Sequence, residues 1–133
     1  MGKSKGYRDL IVYQKAFALA MKLFHITKKF PKEEKYALVD QIRRSSRSVC
    51  SCIAEAYRKR KYQAYFVNKI SDADGENSET IVWLEFSLAC DYIVTEEAQE
   101  LELLAEEVGR MLNSMIENPE KFLPKESKLE KQI

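Results

Sequence analysis

Between Pro31 and Pro119 the chain has no proline and only two glycines, Gly75 and Gly109. Through that stretch apolar residues recur every three to four positions, the period of one helix face. Sandwiches and barrels need frequent tight turns, which Gly and Pro supply. Four glycines and three prolines in 133 residues do not furnish them, so the chain is predicted to be all-α.

The few breaks divide it into four helices. Asp9 is placed to cap a first helix reaching Lys29, which Phe30-Pro31 ends because proline disfavours a helical residue before it. A second starts after Pro31 and runs to residues 59–61, with Glu33 and Glu34 in its first turn, where carboxylates suit the helix dipole. A third covers residues 63–93. Thr95 caps a fourth, with Glu96 and Glu97 in its first turn and Asn118-Pro119 at its end. No Gly or Pro separates the second helix from the third. Unbroken, residues 32–93 would make a rod ~90 Å long, too long for the rest of the chain to cover, which places a turn near residues 60–63. Short connections between four helices imply an antiparallel up-down-up-down four-helix bundle. It is expected over residues 1–118, with a loose polar C-terminal tail over residues 119–133.

A mass of 15.5 kDa suits one domain. With 45% hydrophobic and 32% charged residues, the chain matches neither a membrane protein nor a disordered tail. Its uncharged stretches fall far short of the ~20 residues of a membrane span. No apolar run follows the basic start, so no secretory leader is expected. Cys50, Cys52 and Cys90 then read as cytosolic thiols, and the expected location is the cytoplasm. The net charge of +1 conceals an asymmetry: residues 1–70 carry 17 Lys and Arg against 5 Asp and Glu, residues 71–133 carry 5 against 16. Two readings follow. The basic half is a surface for a polyanion, or it folds against an acidic half, its own or that of a neighbouring copy.

The helix faces carry more information. Helix four has one apolar stripe: Leu101, Leu104, Val108, Met111, Leu112 and Met115. Helix one has two: Val12, Leu19, Leu23 and Ile26 on one face, Leu10, Tyr13, Phe17, Ala20 and Phe24 on another. Helix three sets Phe66, Ile70, Ala73, Ile81, Leu84 and Leu88 on one side. On the other stand Val82, Phe86, Ala89 and Ile93, with Trp83 nearby. A bundle buries one stripe per helix, so second stripes of large side chains mark an interface. Tyr13, Phe17, Phe24, Val82, Trp83, Phe86, Ala89 and Ile93 are the expected oligomer interface. Lys15, Lys22 and Lys29, spaced by seven, form a solvated line on helix one. On helix two Arg43, Arg47 and Arg58 share the outward side with Arg44 beside them, a line of roughly 22 Å able to follow several phosphates. The expected nucleic-acid-binding set is Lys15, Lys22, Arg43, Arg44, Arg47 and Arg58. Ser45, Ser48 and Cys52 on one flank of helix two allow another helix to approach closely. Asn77, in the middle of the helix-three stripe, needs a polar partner on another helix, near Gln41 or Glu55.

The run Phe30-Pro31, Glu34, Leu38, Gln41-Ile42-Arg43-Arg44, Ser48-Val49 and Ile53-Ala54-Glu55-Ala56 resembles the signature of the four-helix bundle proteins encoded in 23S rRNA intervening sequences. The opening Tyr7-Arg8-Asp9-Leu10 with Val12-Tyr13 is similar to that family's start, and Gly75 and Glu79 match its pattern in helix three. The likeness covers residues 7–117. Cys52 stands where the family has an asparagine, and Glu76 where it has a small serine. The family is similar to the accessory variability proteins of diversity-generating retroelements, which bind nucleic acid and a reverse transcriptase. The resemblance implies a homo-oligomeric closed ring, typically a pentamer, and no enzymatic activity.

Catalytic and metal chemistry have little support. His25 is the lone histidine, which rules out His dyads and multi-His metal sites. Cys50 and Cys52 point ~160° apart on a helix, against the four ligands zinc requires. Asp72-x-Asp74-Gly75-Glu76 echoes a calcium loop but lacks the rest of its pattern. There is no phosphate-binding glycine loop. The sequence therefore predicts no cofactor and a non-enzymatic, self-associating protein that binds RNA or DNA. The alternative is a protein–protein assembly scaffold that binds no nucleic acid.

Overall fold

The computed structural model describes residues 3–124. Four helices make the fold: α1 (Ile11–Ile26), α2 (Leu38–Arg58), α3 (Gln63–Ala89) and α4 (Thr95–Glu117), with short 3-10 turns at the joints and no strand among the described residues. It is an all-α bundle. Partners across two of the seams run in opposite order. Lys15, Lys22 and Lys29 of the first helical arm meet Glu107, Glu100 and Glu97 of α4. Ser45 and Glu55 of α2 meet Thr80 and Lys69 of α3. α1 is thus antiparallel to α4, and α2 to α3.

The helix ends differ from the sequence expectation at several joints. Asp9 does not cap α1. Its carboxylate accepts the Lys5 N–H at 2.9 Å and closes a 3-10 turn over Gly6–Asp9, while extended Leu10 precedes the helix. That turn needs Gly6 at φ +66°, a left-handed conformation glycine adopts without strain. Phe30 is extended, as the residue before proline should be. Glu33 and Glu34 lie in a separate 3-10 turn, and α2 starts only at Leu38. Glu34 is held off the helix because it accepts the Tyr92 hydroxyl at 2.7 Å across the bundle end, while its other oxygen reaches the Leu38 N–H at 3.4 Å. The turn between α2 and α3 falls at residues 59–62, one residue ahead of the expected 60–63. Arg60 donates there to the Tyr57 carbonyl at 2.9 Å.

α3 stops at Ala89 and not at Ile93. Asp91 takes a left-handed φ of 62°, and the Tyr92 N–H donates back to the Ser87 carbonyl. This reversal swings Ile93 into the core, 4% exposed, so Ile93 is not part of an outer stripe. α4 is capped by Glu97, whose carboxylate accepts the Val94 N–H at 3.0 Å; Thr95 is already inside the helix.

Two apolar clusters fill the bundle. One gathers Val49, Ile53, Phe66, Ile70, Val108 and Leu112, the other Leu19, Leu23, Ile42, Leu84 and Leu101. A polar layer separates them along the chain. Ser45 and Thr80 join hydroxyls at 2.8 Å, and the Asn77 amide donates to the Ala105 carbonyl of α4 at 2.8 Å. Asn77 is buried at 2% exposure and bonds another helix, as its place in the stripe requires. The partner is α4 backbone, not Gln41 or Glu55. The buried line of α3 includes Thr80 and Ser87, whereas Ile81 and Leu88 are half-buried. Small side chains sit where α2 and α3 meet in the most extensive helix contact.

The polar tail expected from residue 119 begins with a packed segment. Pro119 and Leu123 are buried, and the Phe122 ring stacks on Phe66 at 5.8 Å, closing one end of the bundle. Residues 125–133 lie outside the described residues.

Candidate nucleic-acid interface and association surfaces

The six cations of the expected nucleic-acid set fall into three situations. Lys15 and Lys22 are not free: their ammonium groups meet Glu107 at 2.8 Å and Glu100 at 3.0 Å, and Lys29 completes the ladder on Glu97 at 2.9 Å. Heptad spacing keeps one lysine per two turns on the α4 side, and the antiparallel α4 presents a carboxylate to each. Arg43 turns inward. Its Nε donates to the Thr27 hydroxyl at 2.9 Å and a terminal nitrogen to the Phe24 carbonyl at 3.2 Å. It thereby satisfies a carbonyl at the end of α1 and ties α2 to it, a structural role.

Arg44, Arg47 and Arg58 are exposed. Arg44 has a long i,i+4 contact of 3.4 Å with Asp40, which at such exposure is weak. Among the described residues no carboxylate lies within ion-pair distance of Arg47 or Arg58. A groove of about 610 Å³ runs along this outer side of α2, lined by Lys35, Tyr36, Arg43, Arg44, Arg47 and Ser51. Tyr36 at its edge is 84% exposed. The sequence reading missed this tyrosine; the signal available was an aromatic beside a lysine at a helix start.

Of the expected interface residues, Phe24 is half-buried: Lys28, Arg43 and Arg47 of the same chain stand over its ring at 4.6, 4.8 and 5.9 Å. Tyr13 is half-buried, stacked on Tyr7 at 4.9 Å. Phe17 is 50% exposed and lies in an apolar groove of about 530 Å³ between α1 and α2, with Tyr7, Tyr13, Met21 and Ala54. On the far side of the bundle Val82, Phe86 and Ala89 form an exposed ridge on α3, with Phe86 at 53%. Trp83 is half-buried beside Phe86, ring centres 5.9 Å apart, and its indole N–H is buried without a partner. Ile93 belongs to the core.

Burial pushes the Cys50 thiol up to about 11 and raises Cys52 as well, so both thiols are poor nucleophiles at neutral pH. His25 is exposed and meets the Phe24 ring edge-on at 5.2 Å. Among the described residues no group of three His, Cys, Asp or Glu side chains is close enough to hold a metal ion, and no helix is long and apolar enough to cross a membrane.

The family model for the 23S rRNA-intervening sequence protein matches residues 8–114, from the turn before α1 almost to the end of α4. The chain belongs to the 23S rRNA-intervening sequence protein family. A crystal structure of a protein with unknown function from the S23 ribosomal protein family of Bacteroides thetaiotaomicron is similar to it. That structure shares 30% sequence identity, covers 80% of this chain and 98% of its own, and superposes with a TM-score of 0.72. No protein with a curated description matches the chain. The signature of the 23S rRNA-intervening sequence family is largely structural in this chain. Ile42, Val49, Ile53 and Ala56 fill the core, Arg43 secures α1, and Glu55 pairs with Lys69 of α3 at 3.0 Å. Cys52 is half-buried on the α3 side and lies near Lys69 and Asp72, where a thiol offers much weaker hydrogen bonding than an amide.

Proposed function

We propose that this chain is a non-enzymatic, cytoplasmic accessory protein that binds RNA or DNA on the outer side of α2 and self-associates into a ring of five. The observation that carries the nucleic-acid reading is the division among its cations. Lys15, Lys22 and Lys29 each pair with a carboxylate of α4 within the chain at 2.8–3.0 Å, whereas Arg44, Arg47 and Arg58 stay exposed on one helix face. Guanidinium groups in that state are suited to phosphates, which supply most of the affinity of sequence-independent binding. The lysine ladder weighs against a scaffold built by pairing the basic half with a neighbour's acidic half, since several of the acids it needs are already engaged.

Self-association is supported by two unlike surfaces: the apolar groove of α1 and α2 and the ridge of Val82, Phe86 and Ala89 on α3. Non-identical surfaces that fit one another give head-to-tail contacts, which close into a ring or extend into a filament. The count of five rests on the family resemblance, as does kinship with the retroelement accessory proteins.

Filter binding of RNA and DNA over a salt series tests the reading. The Arg44→Ala, Arg47→Ala, Arg58→Ala triple variant should keep its helical content and lose ~0.7–0.9 of salt slope per phosphate contact removed. An unchanged slope would move the site elsewhere. No binding by the wild type at low salt would leave the assembly scaffold.

A further inference from the structure

The groove on α2 combines two features that point to one class of ligand. Its cations, Lys35, Arg44 and Arg47, outnumber its one carboxylate, Asp40. At its edge Tyr36 projects from the turn before α2, 84% exposed, with the Lys35 ammonium 5.3 Å from its ring centroid. An aromatic face left in water beside a row of guanidinium groups is the arrangement that single strands use: bases stack on the ring while cations follow the backbone. A duplex cannot use the ring in this way, because its base faces are already stacked on one another.

Resting on the reading that α2 binds nucleic acid, we infer that the groove is a single-strand site, in which one unpaired base stacks on Tyr36 and flanking phosphates contact Arg44 and Arg47. Ser51 and Ser48 line the same groove and offer hydroxyls to phosphate or sugar oxygens. Arg43 is a positioning residue: its bonds to Thr27 and Phe24 keep this face of α2 against the end of α1. The stacking contribution is uncharged and the phosphate contribution is ionic, so the two respond differently to salt.

The test uses the full chain with labelled U12 RNA, T12 DNA and a 12-bp duplex, read by fluorescence anisotropy at several salt concentrations. Wild type should bind single strands more tightly than the duplex. Tyr36→Ala should weaken single-strand binding about tenfold, with duplex affinity and salt slope unchanged, and Tyr36→Phe should restore it. Tighter binding of U12 or of T12 names the strand chemistry and supports the site in either case. Tyr36→Ala binding single strands like wild type would overturn it, as would a wild-type preference for the duplex; both leave general nucleic-acid binding standing. Absence of binding to all three probes at low salt would overturn the two readings together.

Discussion

The polar layer at mid-bundle makes a quantitative prediction about Gly109. A glycine inside a helix is worse than alanine by ~1 kcal/mol, so Gly109→Ala in α4 should stabilise by that amount if nothing opposes it. Something does. A Cβ built on Gly109 would stand 3.3 Å from the Asn77 Nδ2, tighter than an ordinary contact. The amide cannot give way freely, because the same nitrogen donates to the Ala105 carbonyl at 2.8 Å. Displacing it puts at risk a buried hydrogen bond worth a net ~0.5–1.5 kcal/mol, so the gain and the loss nearly cancel. Gly109→Ala alone should therefore change stability by less than about 0.5 kcal/mol. In an Asn77→Ala background the opposing amide is gone, its unpartnered Oδ1 with it, and the new methyl group enters vacated space. There the substitution should stabilise by the full ~1 kcal/mol. The coupling energy is then ~1 kcal/mol, or about 3–5 °C in Tm for a chain of this size. Urea and thermal unfolding of the four variants at one protein concentration measures it. Equal stabilisation in both backgrounds would show that Asn77 does not hold Gly109 small, and would refute the reasoning.

Further outcomes follow from the same structure. Replacing Lys15, Lys22 and Lys29 together by Gln should cost about 1–2 kcal/mol at low salt, since each exposed pair is worth ~0.2–1 kcal/mol, and the deficit should shrink in 1 M salt, where screening shortens to ~3 Å. Phe86→Asp should lower the mass seen by light scattering; a wild-type mass of 15.5 kDa at micromolar concentration would sink the assembly proposal, and a dimer would remove the ring. Exposed Cys90 should react with Ellman's reagent at pH 8 well before Cys50, whose thiol is raised to about 11 by burial and should react only as the chain unfolds. Arg43→Ala should lower thermal stability more than Arg44→Ala does, because only Arg43 bonds the end of α1.

Four helices, the turn near residue 60, the apolar stripe of α4 and the buried state of Asn77 were legible in the residues themselves. Each depends on local chemistry: an apolar period, a proline, an amide placed among hydrophobes. The cation site was legible only as a set. Lys15 and Arg47 look alike on a helical wheel, yet one meets Glu107 across α4 and the other stays exposed beside the Phe24 ring with no carboxylate in reach among the described residues. The same holds for the second stripes. Phe24 and Phe17 share a face of α1, but cations from α2 coat the first and leave the second half exposed. Ile93 continued the outer line of α3 in sequence and was turned into the core by a left-handed residue two positions earlier. Thr80 and Ser87, polar by type, are fully buried because small side chains let α2 and α3 approach closely. Periodicity is a property of one helix and is therefore written in its own residues. Which flank is covered, and which charge is neutralised, depends on the side chains a neighbouring helix brings to that level, and the tertiary structure alone decided that.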